Sequence, residues 1–280
     1  MSKKRIKKVA NALTTIGYDG IVKFDQTEPE YDFISTARRQ FDSDPHIALL
    51  SILAATEDYQ LAGDAQRFWQ TLEDTIDGHD TIDSVQAVNE VLADFMQKPV
   101  NARLQDQKEN RLIRIQNNGF GDWFIEHHSN IDPVRVWEKL AEDLETTMQK
   151  KTVVLAVKVY DIFNLIATGQ YLELPTDLPI PCDLQVERVA AAAGIVEHKR
   201  KDTVIDAWAR VMESVNSELD RPVSMLRIDS IVWQAGQIIS KNGDQQKQSR
   251  QALAEYFEDV GLGQIERRQL AHEFTARLGT

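Results

Sequence analysis

The chain has 280 residues and a mass of 31.9 kDa, room for one large domain or two ordinary ones at roughly 150 residues each. With 42% apolar and 27% charged residues, 13 Gly and 8 Pro, it is neither collagen-like, low-complexity nor wholly disordered. Its 32 bases against 44 acids leave a net charge of −12, which at face value speaks against a phosphate-binding protein, because nucleic-acid affinity is built from Lys and Arg.

Cys182 is the only cysteine, which excludes an internal disulfide, a thiolate zinc site and a four-cysteine iron–sulfur cluster. An intracellular, cytoplasmic compartment is expected. The most apolar stretches, residues 47–55 and 153–166, are short or carry Lys158 and Asp161, so neither is expected to span a bilayer. Residues 3–8 are basic, but Asn11, Thr14 and Thr15 interrupt the stretch after them, and no signal-peptide apolar region is read there.

In chain order, apolar residues recur at helical spacing nearly throughout and alternating β-branched runs are scarce, which predicts an all-α protein of about a dozen helices. Asp44-Pro45 and Asp132-Pro133 each place a capping carboxylate before a proline suited to the first helical position. Asp64, Asp202, Asp229 and Asp244 are further expected starts. Residues 152–168 are apolar on most of the helical circumference and should be buried, with Lys151 at their N-terminal end. Residues 174–183 hold three prolines in seven residues, a stiff extended connection leading to Asp183, the expected N-cap of the next helix.

Charge is uneven. Residues 1–10 carry five bases and no acid, whereas residues 11–100 carry 5 bases and 17 acids. Later bases gather at Arg103, Lys108, Arg111 and Arg114, at Lys150 and Lys151, at Lys199, Arg200 and Lys201, and at Lys241, Lys247 and Arg250. These are candidate phosphate contacts, though each cluster also reads as an ordinary solvated helix face.

Lys151 is the most suggestive residue. The positive end of a helix dipole and neighbouring Lys150 both disfavour its charge, and desolvation against an apolar helix would lower its pKa further, turning an ammonium into a nucleophile. An amine attacking a sugar or carbonyl carbon also needs a carboxylate to take a proton or to stabilise a developing cation, and Asp183 is a candidate. The plainer reading makes Lys151 a surface lysine and Asp183 only a cap. Other motifs are weak: Gly119-Phe120-Gly121 reads as a turn between helices, Glu126-His127-His128 lacks one-turn metal-ligand spacing, and the acidic loop at Asp77, His79, Asp80 and Asp83 lacks the Gly and terminal Glu of a calcium loop. The five tryptophans, Trp69, Trp123, Trp137, Trp208 and Trp233, are core residues by default; Trp233 stands one helical turn after Asp229, a spacing that would put the two on one face.

Three blocks together are specific: Lys150-Lys151-Thr152-Val153-Val154-Leu155-Ala156-Val157-Lys158, Pro179-Ile180-Pro181-Cys182-Asp183, and Asp229-Ser230-Ile231-Val232-Trp233-Gln234-Ala235-Gly236. They resemble the archaeal 8-oxoguanine DNA glycosylases called AGOG, bifunctional N-glycosylase/DNA lyases of the helix-hairpin-helix glycosylase superfamily. Residues 4–22, Glu28-Pro29-Glu30-Tyr31, Arg67-Phe68-Trp69 and the basic helix at 103–114 extend the resemblance, which runs to about residue 243 and leaves residues 244–280 outside it. The resemblance implies a two-lobed all-α architecture with the active site in the cleft between lobes. One lobe, residues 35–172, would be a helical barrel carrying the phosphate-gripping hairpin and the lysine. Residues 1–34 and 173–280 would form the other, with 244–280 a C-terminal helical extension.

Carried over by position, the Schiff-base lysine falls on Lys151 and the catalytic aspartate on Asp183, at the family's spacing, with Lys150 the nearest rival nucleophile. The implied reaction is attack of the Lys151 amine on C1′ of the damaged nucleotide while Asp183 stabilises oxocarbenium-like charge, then Schiff-base formation and β-elimination of the 3′ phosphate, without cofactor or metal. Such an enzyme flips the nucleotide into a pocket. The pocket positions correspond to Glu30, Trp69, Leu155, Asp229 and Trp233. Asp229 can accept from the N1–H and N2–H₂ donors of a guanine edge, and Trp233 offers a stacking face. Leu155 stands where the family has an aromatic, forfeiting part of a stacking contribution of roughly 1–3 kcal/mol per base. Glu30 stands where it has glutamine; an ionised carboxylate would accept from the N7–H that 8-oxoguanine has and repel the bare N7 of guanine. The expected partner is damaged DNA, bound by a monomer. Two alternatives are a catalytically weak helical DNA- or protein-binding module on the same scaffold and an acidic helical adaptor unrelated to DNA.

Overall fold

The computed structural model describes residues 1–176 and 178–279; Asp177, within the proline-rich connection, and Thr280, the end of the expected C-terminal extension, lie outside the described residues. Fourteen α-helices and two short 3-10 turns account for the regular structure there, with no strand among the described residues. No described helix is long and apolar enough to cross a membrane. The chain forms two compact units, one of Met1–Thr27 with Pro175–Thr280, the other of Glu28–Leu174.

The Glu28–Leu174 unit is built around two helices that are apolar nearly all round. Helices α2 (Pro29–Gln40), α3 (Asp44–Thr56), α4 (Ala65–Ile76), α5 (Val85–Met96), α6 (Gln105–Asn117), α7 (Phe120–His127), α8 (Pro133–Asp143) and α9 (Lys151–Thr168) follow in order. α3 is buried from Ile47 through Thr56 and α9 from Thr152 through Phe163, and the two pack together. A helix without a polar face has to be enclosed, so α2, α5, α7 and α8 pack around this pair and α4 and α6 pack on those helices in turn. Gly121 on α7 marks one close approach: a Cβ there would lie 2.8 Å from Val85.

The other unit comprises α1 (Lys3–Val22), α10 (Leu184–Ala193), α11 (Lys201–Asn216), α12 (Met225–Lys241), α13 (Gln246–Asp259) and α14 (Gln264–Phe274). α1, kinked at Gly17 (φ 68), packs on α11 and α14, and α10 packs on α12. Trp208, Phe24, Phe257 and Phe274 fill one continuous core. Residues beyond 243 thus contribute core side chains. Arg5 joins the two termini of the unit: its Nη1 pairs with Glu273 at 2.6 Å and its Nε donates to the Ala193 carbonyl at 2.7 Å.

Helix starts follow the expected chemistry in part. Asp132, Asp64 and Asp183 are N-caps whose side chains accept backbone N–H bonds. α3 begins at Asp44 itself, after Ser43. Three expected starts are corrected: Asp202 lies in the first turn of α11, Asp229 lies inside α12, and Asp244 precedes α13 in the left-handed region (φ 58), paired with Arg188 at 3.4 Å. Asp229 is displaced as a cap because the apolar periodicity of α12 extends back to Met225, and burial of that face outweighs a capping bond of about 1 kcal/mol.

Candidate active site

In the Glu28–Leu174 unit the site is assembled on one face of α9. Lys151 occupies its first position and is half-buried, while Lys150 before it is exposed. α8 and α9 are joined by residues 144–150, with Glu145 in the left-handed region (φ 51). Trp137 Nε1 donates to the Met148 carbonyl at 2.7 Å, and Asn118 donates to the Asp143 carbonyl at 2.9 Å. The turn that delivers Lys151 is thus pinned from α8 and from the residues between α6 and α7.

The Lys151 amine donates to the backbone carbonyl of Asp58 at 3.4 Å. The Asp58 carboxylate in turn receives the indole N–H of Trp69 at 3.3 Å, and Trp69, 1% exposed, leans on Phe33 with ring centroids 5.5 Å apart. Leu155 and Lys158 follow Lys151 by one and two helical turns and share its face. Lys158 is buried; its amine meets Glu28 Oε2 at 2.8 Å and Glu30 Oε1 at 3.9 Å. Of the expected pocket residues, then, Trp69 is linked to Lys151 through Asp58, Leu155 lies beneath it, and Glu30 is held with Glu28 around a buried ammonium.

Behind the lysine lies a charged network. Glu57 is fully buried, accepts from Thr56 Oγ1 at 2.8 Å and pairs with Arg111 Nε at 3.3 Å; its Oε2 has no hydrogen-bond partner among the described residues. Arg111 also donates to Thr152 Oγ1 at 3.1 Å, reaching the residue after Lys151. Burial outweighs these partners and pushes the Glu57 carboxyl up to about 7. Lys108, with no exposed surface, donates to Asn101 at 3.2 Å and stands 5.3 Å from the Tyr59 ring centre, its pKa lowered by burial. Lys108 and Arg111 are therefore corrected from candidate phosphate contacts to internal ones: each is occupied by buried partners and faces inward.

In the other unit the arrangement centres on the start of α10. Asp183 Oδ1 accepts from the Gln185 and Val186 backbone N–H groups at 2.8 and 3.1 Å, and its Oδ2 accepts from Trp233 Nε1 at 3.2 Å. Trp233 is half-buried on α12, and Asp229, one turn earlier, is 3% exposed. α10 and α12 meet so closely that a Cβ on Gly236 would fall 2.6 Å from the Gln185 carbonyl oxygen. Cys182, just before the aspartate, has its thiol pushed up to about 12, by burial first and then by Glu187, Asp183 and Asp229, which keeps it from acting as a nucleophile.

Sequence reasoning missed Glu28, Asp58 and Lys158, and the Trp233–Asp183 hydrogen bond. Lys158 was visible as a charge inside an otherwise apolar helix; Asp58 acts partly through its backbone, which leaves no mark on residue type.

The helical fold is that of a DNA glycosylase. Its structure is similar to the crystal structure of the 8-oxoguanosine-complexed 8-oxoguanine DNA glycosylase Pa-AGOG from Pyrobaculum aerophilum, with a TM-score of 0.75 at 17% identity, covering 99% of this chain and 98% of that one. Relatives named N-glycosylase/DNA lyase occur in Pyrobaculum aerophilum, 20% identical with 85% of this chain and 88% of the relative covered, and in Methanococcus maripaludis, 23% identical with 75% and 78% covered. Another, from Thermococcus kodakarensis, is 23% identical and covers 75% of each chain. Residues 10–271 match the AGOG N-glycosylase/DNA lyase family, and the chain belongs to it. It is a DNA-repair N-glycosylase/DNA lyase whose substrate is damaged DNA. The match passes residue 243, so much of the segment left outside the sequence resemblance lies within the family's span.

Proposed function

We propose that this chain excises 8-oxoguanine, or a closely related oxidised purine, from DNA and cleaves the resulting abasic strand, with Lys151 as nucleophile and Asp183 as its carboxylate partner. The observation that carries the reading is the placement of Lys151: first in α9, half-buried on the Asp58 carbonyl, where neighbouring Lys150 is exposed. The lysine amine attacks C1′ of the flipped nucleotide as the base departs. Asp183, held by two backbone N–H groups and an indole N–H, stays fixed while positive charge develops on the sugar. The amine gives up a proton and the C1′–O4′ bond opens, O4′ leaving as a hydroxyl; the resulting Schiff base acidifies the C2′ proton, and its loss expels the 3′ phosphate by β-elimination. We assign the phosphate-gripping hairpin to α8, residues 144–150 and α9, within the lobe expected at 35–172, and the aspartate to the lobe formed by 1–34 with 173–280. Asp229 and Trp233 would read and stack the base, with Glu30, Trp69 and Leu155 as the other pocket residues. The protein would act as a monomer inside the cell, and these groups suffice without metal or cofactor.

Borohydride added during turnover of an 8-oxoguanine duplex should trap a covalent protein–DNA adduct. Lys151→Ala should abolish it and Lys150→Ala should retain it; trapping by Lys151→Ala would sink the assignment of the nucleophile.

A further inference from the structure

The acidic composition hides a basic groove in the unit that carries Asp183. It has a volume of about 410 Å³ and is formed by the start of α1, the start of α13, the last turn of α14 and the residues after it. Lys4, Lys8, Arg250 and Arg277 line it together with His272, and the one buried base in its wall, Arg5, is already paired with Glu273. Among the described residues no Asp or Glu lines it. In a chain with 44 acids and 32 bases, a surface of this size lined only by bases and neutral groups concentrates positive potential in one place.

The groove is also held in shape. Gln246 donates to the Thr275 carbonyl at 2.9 Å and Arg250 Nε to Thr275 Oγ1 at 3.0 Å, which orients the guanidinium. The Arg277 backbone N–H donates to Ala192 at 2.8 Å, and its side chain lies against Gly194, where a Cβ would meet it at 2.5 Å. Lys4 and Lys8, one turn apart on α1, are exposed. These contacts place the groove at the C-terminal end of α10, whose N-terminal end carries Asp183. At 1.5 Å per residue that separation is about 16 Å, on the order of five base-pair steps at 3.4 Å each.

We propose that this groove is a second DNA-binding surface, which takes the phosphodiester backbone of the duplex several nucleotides away from the damaged base. It rests on DNA being the substrate, and it gives the acidic protein a local electrostatic hold that the catalytic residues do not supply. Phosphate contacts position a duplex without reading its sequence, which suits an enzyme that must accept a lesion in any sequence context.

The test compares wild type with K4Q/K8Q and with K3Q/K7Q, which removes the same charge from the same helix outside the groove. Binding is measured on a duplex bearing a tetrahydrofuran abasic analogue across a salt series, and cleavage on an 8-oxoguanine duplex at saturating enzyme. K4Q/K8Q should lower the slope of log affinity against log salt by about 2, roughly 0.9 for each phosphate no longer neutralised, and weaken binding about tenfold at moderate salt. K3Q/K7Q should change both by less than half as much, and the cleavage rate at saturation should hold in both. Wild-type slope and affinity in K4Q/K8Q, or equal losses in the two variants, would overturn the proposal. Failure of wild type to cleave the lesion duplex would instead strike the functional reading, since the analogue-binding comparison does not depend on it.

Discussion

At the residue scale, the proposed mechanism gives Trp233 two separable roles. Its ring offers a stacking face, and its N–H holds the outer oxygen of Asp183 at 3.2 Å. Trp233→Phe keeps an aromatic ring and removes the donor. A hydrogen bond to a charged group contributes about 1.5–3 kcal/mol, so single-turnover excision should fall roughly tenfold to a hundredfold with little change in base binding. An unchanged rate would assign Trp233 to stacking alone. Asp183 itself was legible from the proline-rich approach and the apolar helix after it, because an N-cap is a local feature. Its tryptophan partner was not, because the two stand 50 residues apart in the chain and meet only when α10 and α12 pack.

Two elements carry close tolerances. Lys158 fastens α9 to the start of α2 through Glu28 and Glu30, all three buried. Lys158→Met leaves two carboxylates without their ammonium and should cost about 3–5 kcal/mol in denaturant unfolding. Adding Glu28→Gln to that variant should recover part of the loss; no recovery would mean that Glu28 is not what Lys158 neutralises. Gly236 sets how near α12 comes to α10. In Gly236→Ala the new methyl would overlap the Gln185 carbonyl, so the start of α10 has to move. A stability loss of about 1–3 kcal/mol is expected, as for overpacking elsewhere, together with slower excision as Asp183 shifts. Wild-type crystallographic spacing and rate in that variant would refute the tight fit. Helix existence was readable from apolar periodicity, but the starts of α11, α12 and α13 were not, since Asp202, Asp229 and Asp244 look like caps until tertiary burial extends or shifts the helix.

Across the whole molecule, pH acts on stability through Glu57. Its folded pKa is about 7 against an ordinary 4.5, so in the interval between them the folded state holds a proton that the unfolded chain releases. Stability contributed by this group therefore falls as pH rises from about 4.5 to about 7, by up to roughly 3 kcal/mol. Arg111 and Lys108 face the same carboxyl and limit the fall. Urea unfolding at about pH 5 and about pH 8 should show this slope in wild type, and Glu57→Gln should flatten it. An equal slope in the variant would place the titration elsewhere. The net charge of −12 describes the surface only on average, because Lys108 and Arg111 are taken inside while Lys4, Lys8, Arg250 and Arg277 collect around one groove.

Helical class, the buried apolar helix at residues 152–168, the capping role of Asp183 and the family were readable from residue order, because periodicity, caps and motif spacing are properties of neighbours in the chain. The partners of those residues were decided by packing. Asp58 supports Lys151 with a carbonyl that every residue type possesses, Trp233 reaches Asp183 across two helices, and Glu57 acquires its raised pKa from burial that no local pattern announces. Electrostatics and hydrogen bonding depend on distance and solvent exclusion, and both exist only once segments far apart in sequence have been brought together.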